Sequence, residues 1–315
     1  MPTQQAPIPS GYSAQTTALA VISRIRLDDV TAVVTGGYAG VGLETTRVLS
    51  SAGATVIVPA RTPDKARAAL AGLERVELEA LDLADPKAID AFAARFLASE
   101  RALPLLINNA GIMATPLTRD ARGLESQLAT NHLGHFQLTL RLWPALVRAN
   151  GARVVALTSA GHRRSGFDFE DPQFERREYD KWVAYGQSKT ANALFARELD
   201  RRGETHGVRA FSVHPGAIET DLMRHMPDEE KQAALSRFQH LLKNVEQGAA
   251  TSVWCATSPQ LAEMGGVYCE NADIARETPA DSPDVDGVRP WATDPQAAEK
   301  LWTLSESWAG LELDA

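Results

Sequence analysis

Thr31-Ala32-Val33-Val34-Thr35-Gly36-Gly37-Tyr38-Ala39-Gly40-Val41-Gly42 is the stretch that decides the fold. Thr31 to Thr35 is a mostly β-branched run and reads as a buried strand. A glycine turn follows, and Gly40 to Ala52 reads as a helix with Leu43, Val48 and Leu49 apolar. Glycines let a backbone approach a pyrophosphate, and a helix start offers unpaired N–H groups and a positive dipole end. Glycine turns are common at strand ends, so the pattern alone is weak evidence. Its position strengthens it, because it is the first strand-to-helix turn of an alternating series.

The alternation continues outward from there. Ala54 to Val58, Val76 to Leu81, Leu105 to Ile107, Arg153 to Leu157 and Val208 to Val213 read as further strands, and Gly266 to Tyr268 as a short seventh. Between them lie helices opened by Pro63 and by Asp85-Pro86, a long helix over 123–148, and another over 182–202. Such alternation predicts an α/β fold: a doubly wound parallel sheet of about seven strands, helices on both faces, in one domain. That domain is expected over 29–272. Residues 1–28 read as an N-terminal extension with one helix from Ser13 to Ile25. Residues 273–315 read as a C-terminal wrap ending in an amphipathic helix from Pro295 that carries Leu301, Trp302, Leu304 and Trp308.

The chain has 315 residues, 44% hydrophobic and 23% charged, which is average for a soluble globular protein. A net charge of −8 lacks the basic surplus of a nucleic-acid binder. Its two cysteines, Cys255 and Cys269, form no CxxC pattern, which argues against a zinc site or a secreted disulfide framework. Two reduced, buried thiols are expected. No apolar run approaches the roughly 20 residues that cross a bilayer, and no signal-peptide core is present. A cytoplasmic protein without a membrane anchor is therefore expected.

NAD-binding sheets usually carry an acidic residue after the second strand, to hold the ribose 2′-hydroxyl. Here that strand ends Pro59-Ala60-Arg61. Arg61 could pair bidentately with a 2′-phosphate, so NADP is expected in preference to NAD. Further on, Tyr185 and Lys189 are four apart and share a helix face. A lysine ammonium beside a tyrosine favours the phenolate, which would bring its pKa of about 10 toward a usable acid–base range. Tyrosine–lysine pairs at this spacing are common on solvated helices. Three further features change the weighting. Asn108-Asn109-Ala110-Gly111, Thr158-Ser159-Ala160-Gly161 and His214-Pro215-Gly216 each follow a strand at its carboxyl end, where open parallel sheets bind ligands.

In this order the motifs resemble those of the short-chain dehydrogenase/reductase superfamily, over about residues 15–272 and the terminal helix. Asn131-His132-Leu133-Gly134-His135-Phe136, Gln247 to Ala250 and Gly265 to Tyr268 bring the chain closest to the retinol dehydrogenase-like and WW-domain oxidoreductase-like branch. The resemblance implies a Rossmann fold and an alcohol–carbonyl interconversion by hydride transfer with NADP. It implies Tyr185 as general acid–base, Lys189 to lower the tyrosine's pKa and hold the nicotinamide ribose, Ser159 to hold the reacting oxygen, and Asn131 in a water-mediated proton relay. Gly36, Tyr38, Gly40, Val41 and Gly42 would line the pyrophosphate site, with Arg61 at the 2′-phosphate. Asp82 and Leu83 would flank the adenine, and Asn109, Ala110 and Gly111 would pack along the cofactor. Pro215, Gly216, Ile218 and Thr220 would meet the nicotinamide end. The substrate implied is a small apolar alcohol or carbonyl, and the family's habit is a homodimer or tetramer. One departure weakens the NADP reading: Ala39 stands where many NADP-preferring members carry a polar or basic residue.

Other chemistries fit less well. His132 and His135 are three apart, but no carboxylate or cysteine completes a metal site, so packed or solvated rings are expected. Ser159 with His162 lacks the GxSxG elbow of a hydrolase. Asp168, Glu170 and Asp171 fall in a charged loop and are expected to face solvent. Met223 to Lys243, with Leu235 and Phe238, falls where a substrate lid is expected. A different class of function is a catalytically silent NADP-binding scaffold. The presence of Asn131, Ser159, Tyr185 and Lys189 together disfavours it. Reduction of a carbon–carbon double bond is a variant within the enzyme class.

Overall fold

The computed structural model describes residues 3–313. In chain order the elements are α1 (Ala18–Ile22), β1 (Thr31–Val34), α2 (Gly40–Ser51), β2 (Thr55–Ala60), α3 (Pro63–Ala69), β3 (Val76–Ala80), α4 (Pro86–Ala98), β4 (Leu105–Asn108), α5 (Ser126–Leu128), α6 (Gly134–Arg141), α7 (Trp143–Arg148), β5 (Ala152–Leu157), α8 (Lys181–Gly203), β6 (Val208–His214), α9 (Asp228–Arg237), α10 (Val245–Thr257), β7 (Val267–Glu270), β8 (Asp273–Ile274) and α11 (Pro295–Ala309). The sheet has eight strands in the order β3-β2-β1-β4-β5-β6-β7-β8. Seven are parallel, and β8 turns back antiparallel on β7 through Asn271 and Ala272, both at positive φ. That two-residue hairpin is the one strand beyond the seven expected.

Period-two alternation builds the two faces. Ala32, Val34, Val56 and Val58 point to the side covered by α1, α2 and α10. Val33, Ile57, Leu106 and Val154 point to the side covered by α4, α6, α7 and α8. In register, Val33 stands beside Ile57 and Leu106. The chain reverses its direction of progress between β1 and β4. The crevice at that switch point, beyond the carboxyl ends of the strands, is where such sheets hold ligands.

The helix expected over 123–148 is broken. Gly123 sits at φ 81° in a turn. Glu125 then caps α5 by accepting from the Gln127 and Leu128 N–H groups. Residues Ala129–Leu133 form a π-helical turn in which the Gly134 N–H bonds the Ala129 carbonyl. Pro144 lacks an N–H, and the chain breaks again at Leu142 before α7. The first helix is also shorter than expected, because Thr17 caps it at Ala20 N.

The two ends of the chain lie on the sheet domain. The Gln5 side chain accepts from Tyr268 N (2.9 Å) and donates to the carbonyls of Tyr268 and Ala275. Asp273 accepts from Ile8 N and Ser10 N. At the other end, α11 packs Ala298 and Leu301 against Ala191 and Leu194 of α8. Trp302 stacks on Phe195 at 6.0 Å with 9° between the rings. Both cysteines are free and buried.

Candidate active site

Between β1 and α2 the glycine loop is shaped by close approaches. Gly36 and Gly40 have φ of 64° and 51°, a region that side chains disfavour. A Cβ on Gly42 would stand 2.4 Å from Asn109 Nδ2, and one on Gly36 would stand 3.1 Å from Ala110 Cα. Asn109 therefore locks against the loop. Its Nδ2 donates to the Thr35 carbonyl at 2.8 Å, while Asn109 N and Ala110 N donate to the Thr35 hydroxyl at 2.9 and 3.0 Å. Helix α2 starts at Ala39 without a side-chain cap. Its first-turn N–H groups thus remain available to an anion, as a pyrophosphate seat needs.

The remaining cofactor candidates surround this loop. Thr220 reaches over it, with its methyl 3.2 Å from where a Gly40 Cβ would be. Ile218 and Val41 close together over Gly248, where a Cβ would meet Ile218 Cδ1 at 2.5 Å. Tyr38 packs on the core beneath. Arg61 is exposed just past β2 and has no ion-pair partner among the described residues. Asp82 past β3 accepts from Ala84 N at 3.0 Å, and Leu83 is buried against Gly134. Pro215 and Gly216 follow β6, with Gly216 at φ 107°.

The second group gathers past β4 and β5. Asp180 caps α8 by accepting from Trp182 N and Val183 N. Tyr185 and Lys189 then fall one turn apart on its buried face. The Lys189 ammonium donates to the Leu157 carbonyl at 3.0 Å and stands 5.7 Å from the Tyr185 ring centroid. Ser159 is extended at φ −164°, and its hydroxyl accepts from Gly161 N at 3.0 Å beside the Tyr185 ring. Gly161 lies flat against Tyr185, for a Cβ there would be 2.8 Å from ring Cε1. Asn131 sits on the π-helical turn. Its Oδ1 accepts from Ile112 N, and its Nδ2 donates to the Ile112 carbonyl and the Ser188 hydroxyl. Gly111 fills the gap between Asn131 Oδ1 and Lys189 Nζ, at 3.2 and 3.5 Å from a Cβ position. Asn131, Ser159, Tyr185 and Lys189 thus converge on one spot.

The electrostatics depart from the sequence reading in one respect. Burial pushes the Tyr185 phenol up to about 12, with the Ser159 hydrogen bond pulling the other way. Burial brings the Lys189 ammonium down to about 8. Burial is the largest influence on the phenol, and the Lys189 ammonium donates to the Leu157 carbonyl rather than to the tyrosine.

Other residues also differ from expectation. Asp171 is buried rather than solvent-facing, because it accepts from the N–H groups of Glu175, Arg176 and Arg177 and folds the loop ahead of α8. Sequence reasoning missed that role, and it also missed the role of Thr158, whose hydroxyl donates to the Lys189 carbonyl at 2.7 Å. In the expected lid, Glu230 of α9 accepts from Lys181 Nζ and Trp182 Nε1, both at 2.6 Å, which fastens α9 to the start of α8. A cavity of about 330 Å³ lies beside it, lined by Thr220, Met223, Met226 and Lys231 among others.

Of the packed and solvated alternatives, His132 and His135 take the packed one, and no metal-holding cluster exists among the described residues. Burial lowers His132 and His162 to about 3 and His135 to about 4. Unfolded histidine titrates near 6.5, so the unfolded chain binds more protons between that pH and about 4. Stability is therefore lost as pH falls through this window. Glu125 and Glu270, raised by burial, oppose the trend but are outnumbered. The thermal midpoint should fall steadily between pH 6.5 and 4.5; a midpoint that stays level over that range would contradict the burial of these rings.

The model of the short chain dehydrogenase family matches residues 30–231. The chain belongs to that family. A short-chain dehydrogenase is an oxidoreductase that works with a nicotinamide cofactor. The chain is 45% identical over 285 residues to a probable oxidoreductase of Streptomyces lividans, covering 86% of this chain and 94% of that one. It is 38% identical over 296 residues to human retinol dehydrogenase 12, covering 92% and 89%. Among solved structures, an uncharacterised protein of Mycobacterium paratuberculosis superposes with a TM-score of 0.72 at 33% identity, covering 92% and 97% of the two chains. Pseudomonas aeruginosa RhlG, solved in an active-site complex with NADP, shares the fold with a TM-score of 0.64 at 23% identity, covering 78% and 95%. No helix of this short-chain dehydrogenase is long and apolar enough to cross a membrane among the described residues.

Proposed function

We propose that this chain interconverts a small alcohol and its carbonyl compound with NADP, Tyr185 acting as the general acid–base. The observation that carries the reading is the convergence of Ser159, Tyr185, Lys189 and Asn131 around Gly111 and Gly161. The bound cofactor supplies or accepts the hydride. The chain supplies position and protons. Ser159 and Tyr185 present two hydroxyls to one reacting oxygen. A phenol at about 12 is fully protonated at neutral pH, so it is ready to donate to a carbonyl oxygen. Lys189 carries positive charge below about 8 and stands where a ribose hydroxyl could be held. Carbonyl reduction should accordingly hold level below pH 8 and decline above it as Lys189 loses its proton. A rate that instead climbs through that pH would remove the ammonium from the mechanism.

The NADP preference is supported by Arg61, which is exposed past β2 and has no ionic partner among the described residues. A charge-assisted pair is worth about 1.5–3 kcal/mol, which is roughly a ten- to hundredfold preference. Arg61→Ser should therefore erode the NADPH-to-NADH ratio of kcat/KM by at least about tenfold. An unchanged ratio would place the 2′-phosphate contact elsewhere.

Oxidation of NADPH against aliphatic aldehydes, aryl ketones, enones and all-trans-retinal tests the reaction itself. The last belongs on the panel because a relative is named retinol dehydrogenase 12. Turnover of aldehydes or ketones is expected. Tight NADPH binding with no turnover of any compound would be the mark of a regulatory scaffold.

A further inference from the structure

His135 lies one turn beyond Asn131 and is 2% exposed. Its two ring nitrogens face different parts of the site. Nδ1 stands 2.9 Å from the main-chain carbonyl of Asn131, and Nε2 stands 2.8 Å from the Thr35 hydroxyl. Hydrogen-bond accounting fixes the tautomer. A carbonyl can only accept, so Nδ1 carries the proton. Independently, the Thr35 hydroxyl has two lone pairs, and both are taken by the N–H groups of Asn109 and Ala110. Its own hydrogen must be given away. The Ile107 carbonyl is distant at 3.4 Å, whereas His135 Nε2 is close. Nε2 is therefore a bare acceptor, and the ring is neutral and Nδ1-protonated. The backbone of His135 is also tied to β4, because Thr139 donates to the His135 carbonyl and accepts from Asn108 Nδ2.

We propose that His135 is a positioning residue that joins the π-helical turn bearing Asn131 to the cofactor loop at Thr35, through one neutral imidazole bonded at both nitrogens. The inference rests on the proposed function, since it assigns His135 a part in holding both the cofactor seat and the group behind Lys189. Each bond does separate work. Nδ1–H orients the Asn131 carbonyl, one residue in the framework around Gly111 and Lys189. Nε2 takes the Thr35 hydrogen and so frees both Thr35 lone pairs for the Asn109 and Ala110 N–H groups on which the glycine loop rests.

Two isosteres separate the bonds in the full-length chain. His135→Asn places an amide near the Nδ1 position and keeps only the Asn131 contact. His135→Gln places one near Nε2 and keeps only the Thr35 contact. Both variants should lose activity, by different routes. The asparagine variant should lose mainly through NADPH affinity, with a Kd by calorimetry at least tenfold weaker. The glutamine variant should lose mainly through kcat at saturating NADPH, on whichever carbonyl of the panel turns over best. Two-bond nitrogen–proton spectra of histidine-labelled chain should show the His135 ring neutral and Nδ1-protonated down to pH 5.5. A packing role alone would move none of these selectively. Equal losses of Kd and kcat in the two variants, wild-type NADPH affinity in the asparagine variant, or an Nε2-protonated ring would each overturn the inference. Failure of the unaltered chain to bind NADPH would instead sink the functional reading on which it rests.

Discussion

Tyr185→Phe should cut carbonyl reduction by about 10²–10⁴-fold, the range for loss of a positioned general acid, while NADPH still binds with near-normal affinity. Only one oxygen is removed, and the ring keeps its packing against Gly161. The phenol is buried, and the neighbouring Ser159 hydroxyl accepts from Gly161 N. The variant thus leaves Ser159 with a partner, at a stability cost of about 1 kcal/mol. Burial holds the phenol near 12, so the proton to be delivered is present throughout the neutral range. NADPH oxidation by the variant, measured with the best carbonyl substrate beside a calorimetric NADPH titration, checks both halves. Retention of most of the activity would remove Tyr185 from the reaction.

Gly161→Ala should be nearly as damaging, although the residue carries no chemistry. The added methyl would stand 2.8 and 2.9 Å from Cε1 and Cδ1 of Tyr185, distances at which one group must move. Helix α8 cannot easily give way, because Thr158 bonds the Lys189 carbonyl and Asn131 bonds Ser188. The tyrosine ring is what shifts. A displacement of about 1 Å can cost about 10²-fold in rate, and the loss should fall on kcat, with NADPH affinity retained. Gly166→Ala is the control. Its methyl would meet Trp291 at an ordinary 3.5 Å and should leave turnover close to normal. Equal activity in the two variants would mean that the Tyr185 ring position is not held by Gly161.

The sheet was legible in the sequence because buried parallel strands are β-branched runs set off by glycine or proline. Thr31 to Val34 and Thr55 to Ala60 show this plainly. The cap at Asp85 was legible in the same way, as a side chain that bonds the first turn, whereas the caps at Asp180 and Asp294 were not read. The long helix over 123–148 misled, because its apolar spacing persists through a π-helical turn. That turn is set by tertiary bonds from Asn131 to Ile112 and Ser188, which no local pattern announces. The candidate site was legible as motifs at strand ends, whereas its electrostatics were not. Spacing placed Lys189 beside Tyr185 but could not show that its ammonium turns to the Leu157 carbonyl. His135 shows the same limit, since an interval of three from His132 carries no hint of the Thr35 hydroxyl 100 positions earlier.

The most direct test of the account follows the hydride itself. The full-length chain would be given NADPH deuterated at both positions of the hydride-bearing nicotinamide carbon, with its best substrate from a panel that includes enones, and the product would be read by mass spectrometry and proton NMR. One deuterium on the carbinol carbon is expected, with the hydroxyl proton drawn from solvent through Tyr185. Deuterium on a carbon of the former double bond, or none in any product while NADPH binds tightly, would contradict an alcohol–carbonyl interconversion.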